Sequence, residues 1–125
     1  MKTYARFLCF VLFLFLAIPP AYAQYTIERE RPFVSRVLAG YVFGPETAKA
    51  EPLHDITVEL CTSNWQSVLT STKTDKDGYF LLEKPATGKL FYLRFRGYGL
   101  NPYEVRVRIK RFGSKDLKIY MHNAT

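Results

Sequence analysis

Two neighbouring stretches alternate apolar and charged residues so strictly that they leave one secondary structure open to them. In Leu90–Arg96 (LFYLRFR), Phe91, Leu93 and Phe95 recur at every second position, with Tyr92, Arg94 and Arg96 between them. In Tyr103–Arg111 (YEVRVRIKR), Val105, Val107 and Ile109 alternate with Arg106, Arg108 and Lys110. Side chains of a strand switch faces at every residue, so this period puts all the apolar groups on one side; a helix would scatter them around its axis. Gly97, Gly99 and Pro102 lie between the two stretches and mark a loop. Two adjacent half-buried strands need a partner layer, which points to a sheet packed on a sheet.

The rest of the chain has the same grain. Arg36–Phe43 reads as a strand stopped by Gly44-Pro45, and Ile56–Cys61 alternates with Ile56, Val58 and Leu60 facing one way. Gln66–Thr74 is a Ser- and Thr-rich strand lapped by solvent. Asp75-Lys76-Asp77-Gly78 is a turn that calls for positive φ at Gly78, and Tyr79–Leu82 follows it as a short strand with Phe80 inward. Leu117–Met121 closes the series with Leu117, Ile119 and Met121 inward. No window of a dozen residues shows a 3.6 period. Aromatics reach 16%, from 10 Phe, 9 Tyr and 1 Trp, which favours strands. The expectation is an all-β domain, a seven-stranded Greek-key β-sandwich over residues 36–122. Residues 24–35, charged and carrying Pro32, read as a linker or an extended arm.

The first 23 residues read differently. Lys2 and Arg6 precede an apolar run from Phe7 to Ile18, then Pro19-Pro20 and the small-x-small triplet Ala21-Tyr22-Ala23. That is the order of a cleaved secretory signal peptide, and the run is too short to span a bilayer, which takes about 20 residues. The expected product starts at Gln24, is secreted or periplasmic, and has no membrane span. Of 125 residues and a formal charge of +7, removing these 23 with Lys2 and Arg6 leaves 102 residues and +5. Cys61 becomes the only cysteine, so no intramolecular disulfide can form. By alternation Cys61 faces outward near a strand end, where an exposed thiol would link two chains. The alternative is burial under the Ser63–Gln66 loop, against Trp65.

Three segments together resemble a known pattern: Leu38-Ala39-Gly40-Tyr41-Val42, then Pro52 to Leu60 (PLHDITVEL), then Thr74-Asp75-Lys76-Asp77-Gly78-Tyr79-Phe80. They are similar to the carboxypeptidase regulatory-like domain, a transthyretin-like (prealbumin-like) sandwich also grouped with carbohydrate-binding-like folds. The resemblance covers about Val37 to Met121, and the Thr-Asp-x-Asp-Gly-x-Phe step is its most specific part. It implies one sheet from Ile56–Cys61, Gln66–Thr74, Leu90–Arg96 and Tyr103–Arg111, and a second from Arg36–Phe43, Tyr79–Leu82 and Leu117–Met121. It brings no catalytic residues. Together with the expected export, it leads to the expectation of a non-enzymatic binding or scaffolding module at the cell envelope, its target a carbohydrate or a partner protein; the alternatives are a polyanion-binding module using a basic sheet face and a transthyretin-related hydrolase.

The chemistry-bearing residues agree with a module that is no enzyme. The Asp75–Gly78 turn fails as an EF-hand loop, because Lys73 and Lys84 occupy positions that need ligands. His54 and His122 lack the spacing of a zinc site, and no nucleophile elbow is present. The related hydroxyisourate hydrolases end in Tyr-Arg-Gly-Ser, whereas this chain ends His122-Asn123-Ala124-Thr125. We expect no catalytic, cofactor or metal site. The candidate binding face is Tyr92, Arg94, Arg96, Arg106, Arg108 and Lys110. Its cations suit an acidic polymer, or form a solvated face that Glu59 and Glu104 partly neutralise. Export and the lack of RNP-like or helix-turn-helix motifs argue against nucleic acid.

Overall fold

The computed structural model describes residues 26–45, 50–82 and 89–124. The expected signal peptide lies outside these residues. The described chain is all-β, without a helix, in two sheets. Its strands are β1 (Ile27–Glu28), β2 (Phe33–Ser35), β3 (Ala39–Phe43), β4 (Thr57–Cys61), β5 (Val68–Lys73), β6 (Tyr79–Leu81), β7 (Leu90–Arg96), β8 (Tyr103–Ile109) and β9 (Leu117–Tyr120). The large sheet runs β1-β8-β7-β4-β5, with β2 also on β8, and the small sheet runs β6-β3-β9. This is the partition of the main strands that the resemblance implies.

The two sheets share one core. Val58, Leu93, Phe95, Val105, Val107 and Ile109 come from the large sheet, and Val42, Phe80, Leu117 and Ile119 from the small one. Phe80 stands edge-on to Phe95 with ring centroids 5.4 Å apart, so one aromatic pair ties the layers together. Every apolar residue that alternation turns inward on β7, β8 and β9 is buried or packed against this core.

The Asp75–Gly78 turn sets how Phe80 enters. Asp75 Oδ1 accepts hydrogen bonds from the backbone of Asp77 (2.9 Å) and Tyr79 (3.0 Å), and Gly78 has φ of 76° as expected. Just before it, buried Thr74 donates its hydroxyl to Leu53 O (2.7 Å) and accepts from Ile56 N (2.8 Å), which fastens the loop into β4 to the end of β5. The Thr-Asp step is therefore a structural joint.

The arm corrects the expected strand count. Nine strands occur among the described residues instead of seven, because β1 and β2 pair in parallel with β8. Ile27 aligns with Tyr103, and Phe33 with Val107. The paired structure thus begins before residue 36. β1 and β2 span two and three residues. Elements that short carry no period; the backbone edge of β8 supplies the pairing.

Candidate functional site

The register puts the predicted residues on one face. Arg94 lies between Glu59 and Glu104, Tyr92 between Cys61 and Arg106, and Leu90 opposite Arg108, with Val34 beyond it. Arg96 aligns with Thr57, and Lys110 follows Arg108 by alternation. Five of the candidates therefore belong to the outer face of the large sheet, with Lys110 just past the end of β8, but they do not share an environment.

Around Arg94 the face is closed. Its side chain is only 13% exposed, which corrects the expectation that all the arginines stand in solvent. Arg94 Nε and Nη2 both lie 2.9 Å from Glu104 Oε2, and Nη2 also donates to Trp65 O at 2.8 Å. Glu59 Oε1 sits 3.7 Å from Arg94 Nη1 and 3.1 Å from Arg96 Nε, held by charge without an aligned hydrogen bond. Two arginines and two glutamates form a neutral cluster. Burial works against the Arg94 charge, but the hydrogen bond to Glu104 and the surrounding negative charges outweigh it and raise its pKa.

Trp65 closes this half. The β4–β5 connection is tied by Thr62 and Asn64: Thr62 Oγ1 donates to Asn64 Oδ1 (2.7 Å), and Asn64 Oδ1 accepts from Gln66 N (3.0 Å). Within it Trp65 takes φ of 64°, a left-handed conformation that is strained for a bulky residue, at about 1–3 kcal/mol. The strain places its ring edge-on to Tyr92 (5.3 Å) and 5.7 Å from the Arg94 guanidinium. Cys61, aligned with Tyr92, is 3% exposed. The thiol is therefore not presented to a second chain; of the two alternatives, exposure or burial, the structure shows burial. Burial pushes its pKa up, although the Arg94 charge pulls the other way.

Towards β8 the charges are unpaired, although Arg106 and Arg108 are themselves half-buried. Arg106 donates from Nη2 to Glu30 O of the arm, while its Nε finds no partner among the described residues. Among those residues Arg106 and Arg108 form no salt bridge, and Lys110 is exposed and equally unpaired.

The outer face of the small sheet carries a second set of groups that the sequence reading did not single out. Register places Tyr41 between Tyr79 and Lys118, Phe43 beside Tyr120, and Ala39 beside Leu81. The rings form a row across all three strands: Tyr79 to Tyr41 at 5.3 Å, Tyr41 to Phe43 at 6.3 Å, and Phe43 to Tyr120 at 5.4 Å. Each is half-buried, Lys118 is exposed, and Leu81 is 62% exposed. The available signal was that inward Leu117, Ile119 and inward Val42 leave Tyr120, Lys118, Tyr41 and Phe43 outward. Only the cross-strand register joins them.

A scan of the chain against protein-family models finds no match, and a search among curated proteins finds none either.

Proposed function

We propose that the chain is an exported, non-enzymatic β-sandwich that binds a carbohydrate chain through the outer face of its small sheet. The row Tyr79–Tyr41–Phe43–Tyr120 carries this reading. The C–H faces of a sugar ring are apolar and its rim is hydroxylated. A row of rings, three of them phenols, offers stacking surface and hydroxyl partners at successive positions. The strand partition supports the likeness to the carboxypeptidase regulatory-like domain, with its Greek-key, prealbumin-like sandwich. The apolar run and Ala21-Tyr22-Ala23 support export to the cell surface or periplasm.

Titration of purified envelope polysaccharides tests it. Tyr41→Ala and Phe43→Ala should each weaken binding by about tenfold, the equivalent of about 1.4 kcal/mol. Unchanged binding by both variants removes the small sheet from the reading.

A second reading rests on the open half of the large sheet. Arg106, Arg108 and Lys110 keep their charges unpaired among the described residues and suit an acidic polymer. Arg94 and Arg96 take no part in it, since Glu59 and Glu104 already neutralise them. Binding to heparin that falls steeply with salt, and falls further in Arg106→Gln/Arg108→Gln, is its signature.

A further inference from the structure

Beyond Lys110 the chain makes the turn Lys110-Arg111-Phe112-Gly113-Ser114-Lys115, which leads from β8 to β9. Phe112, within this turn, is 95% exposed. An exposed ring on a mobile loop would mean little, but this turn is clamped. Gly113 N donates to Lys110 O (3.0 Å), and Ser114 donates to Val34 O from both its backbone N (3.1 Å) and its Oγ (3.0 Å). The turn lies so close to the arm that a Cβ on Gly113 would come within 2.5 Å of the Ser35 backbone. The fold thus fixes the backbone around Phe112, while the ring has no apolar partner among the described residues.

Cations flank the turn. Arg36 Nε donates to Gly113 O at 3.0 Å, which brings its guanidinium to the base of the turn. Lys110, Arg111 and Lys115 flank the ring in sequence, and all four cations are exposed. Among the described residues none of them forms a salt bridge; Asp116, half-buried, is the nearest carboxylate in sequence.

We propose that the β8–β9 turn docks the protein on an anionic lipid surface, with Phe112 entering the headgroup layer and Arg36, Lys110, Arg111 and Lys115 on the phosphates. Phe112 is 95% exposed, so the turn does not enclose a small ligand around the ring. A soluble acidic polymer uses the cations but leaves the ring in water. A bilayer surface offers an apolar layer directly behind an anionic one, and so satisfies both. Because the turn is already ordered, docking fixes little further conformational freedom. The inference shares no residue with the aromatic face of the small sheet and stands or falls apart from the carbohydrate reading.

Sedimentation with vesicles tests it, using the exported form of the chain after its N-terminus has been read. Vesicles of phosphatidylcholine are compared with vesicles containing phosphatidylglycerol, at low and physiological salt. The wild type should partition onto the phosphatidylglycerol vesicles, with each cation contributing roughly fivefold. Phe112→Ala should reduce partitioning by about tenfold or more. Lys110→Gln/Arg111→Gln should reduce it by roughly twenty-five-fold. Tyr98→Ala, at a fully exposed aromatic outside this turn, should match the wild type and serves as the control. Far-UV circular dichroism checks that the variants keep the fold. Absence of vesicle binding at low salt overturns the proposal, as does equal binding by wild type and Phe112→Ala. Heparin binding insensitive to Phe112→Ala, without vesicle binding, overturns it in favour of the acidic-polymer reading. Because all variants share the same N-terminal residues, binding through that segment shows up as an unchanged Phe112→Ala variant and also overturns it.

Discussion

Arg94 and Arg108 sit on one face of one sheet, two strands' side chains in the same alternation, yet the fold treats them in opposite ways. Arg94 is enclosed by Glu59, Glu104 and the strained Trp65, and all its charge is answered within the domain. Arg108 aligns with Leu90 and Val34, neither of which can answer a charge. The difference lies in what neighbouring strands present at the same level, and not in the arginines. A cation flanked by carboxylates and capped by an aromatic becomes part of the structure. A cation flanked by apolar residues stays available to something outside. The same contrast extends past the strand end, where Phe112 is exposed and its flanking cations form no salt bridge among the described residues.

Phe80 is fully buried and bridges the sheets through Phe95, so Phe80→Ala should cost about 3–5 kcal/mol in urea unfolding. A loss under about 1 kcal/mol would put Phe80 outside the core and shift the register of β6 by one residue.

Next in size is the cap on the closed half. Trp65→Ala removes the ring from Tyr92 and Arg94 but leaves the left-handed backbone, so we expect a loss of about 1–2 kcal/mol. Trp65→Gly should be less damaging than Trp65→Ala, because glycine relieves the positive φ. Equal losses in the two variants would mean that the backbone strain is not real. In the β8–β9 turn Phe112→Ala removes a ring that is 95% exposed, and stability should stay within about 0.5 kcal/mol of wild type.

The smallest expected effect is a pH dependence at Cys61. Burial raises its folded pKa above the ordinary value of 9.0. The unfolded chain therefore releases the proton first, and the contribution of the neutral thiol is kept below pH 9.0 and lost as pH rises through the folded pKa. Comparison of wild type with Cys61→Ala isolates this from other alkaline titrations. The wild type should lose stability more steeply than the variant above pH 9.0. Parallel curves would place the thiol in contact with water.

Alternation explains which parts were legible beforehand. It assigns β7, β8 and β9 their inward residues, because burying Arg106 or Arg108 instead would strand charges in the core. The Asp75–Gly78 turn and buried Phe80 were legible for a similar reason, since a positive φ and an inward aromatic are local demands. β1 and β2 were not, because two or three residues hold no period and their partner lies over 70 positions away, with Ile27 on Tyr103 and Phe33 on Val107. Alternation also says which face a side chain occupies but not what covers it. It placed Arg94 and Cys61 outward correctly and left open whether the loop carrying Trp65 covers them, since alternation cannot choose between an exposed and a covered Cys61. The aromatic row escaped for the complementary reason: Tyr79, Tyr41 and Tyr120 come from three strands far apart in sequence, and only register makes them neighbours.

The division of the basic face is tested most directly by unfolding two variants side by side in urea. Arg94→Gln leaves Glu59 and Glu104 partly buried without their shared cation and should cost about 3 kcal/mol. Arg108→Gln removes a charge that forms no salt bridge among the described residues and should stay within about 0.5 kcal/mol of wild type. Small and equal losses would contradict the account: Arg94 would then be a solvated cation like Arg108, and the whole face would be open to a partner.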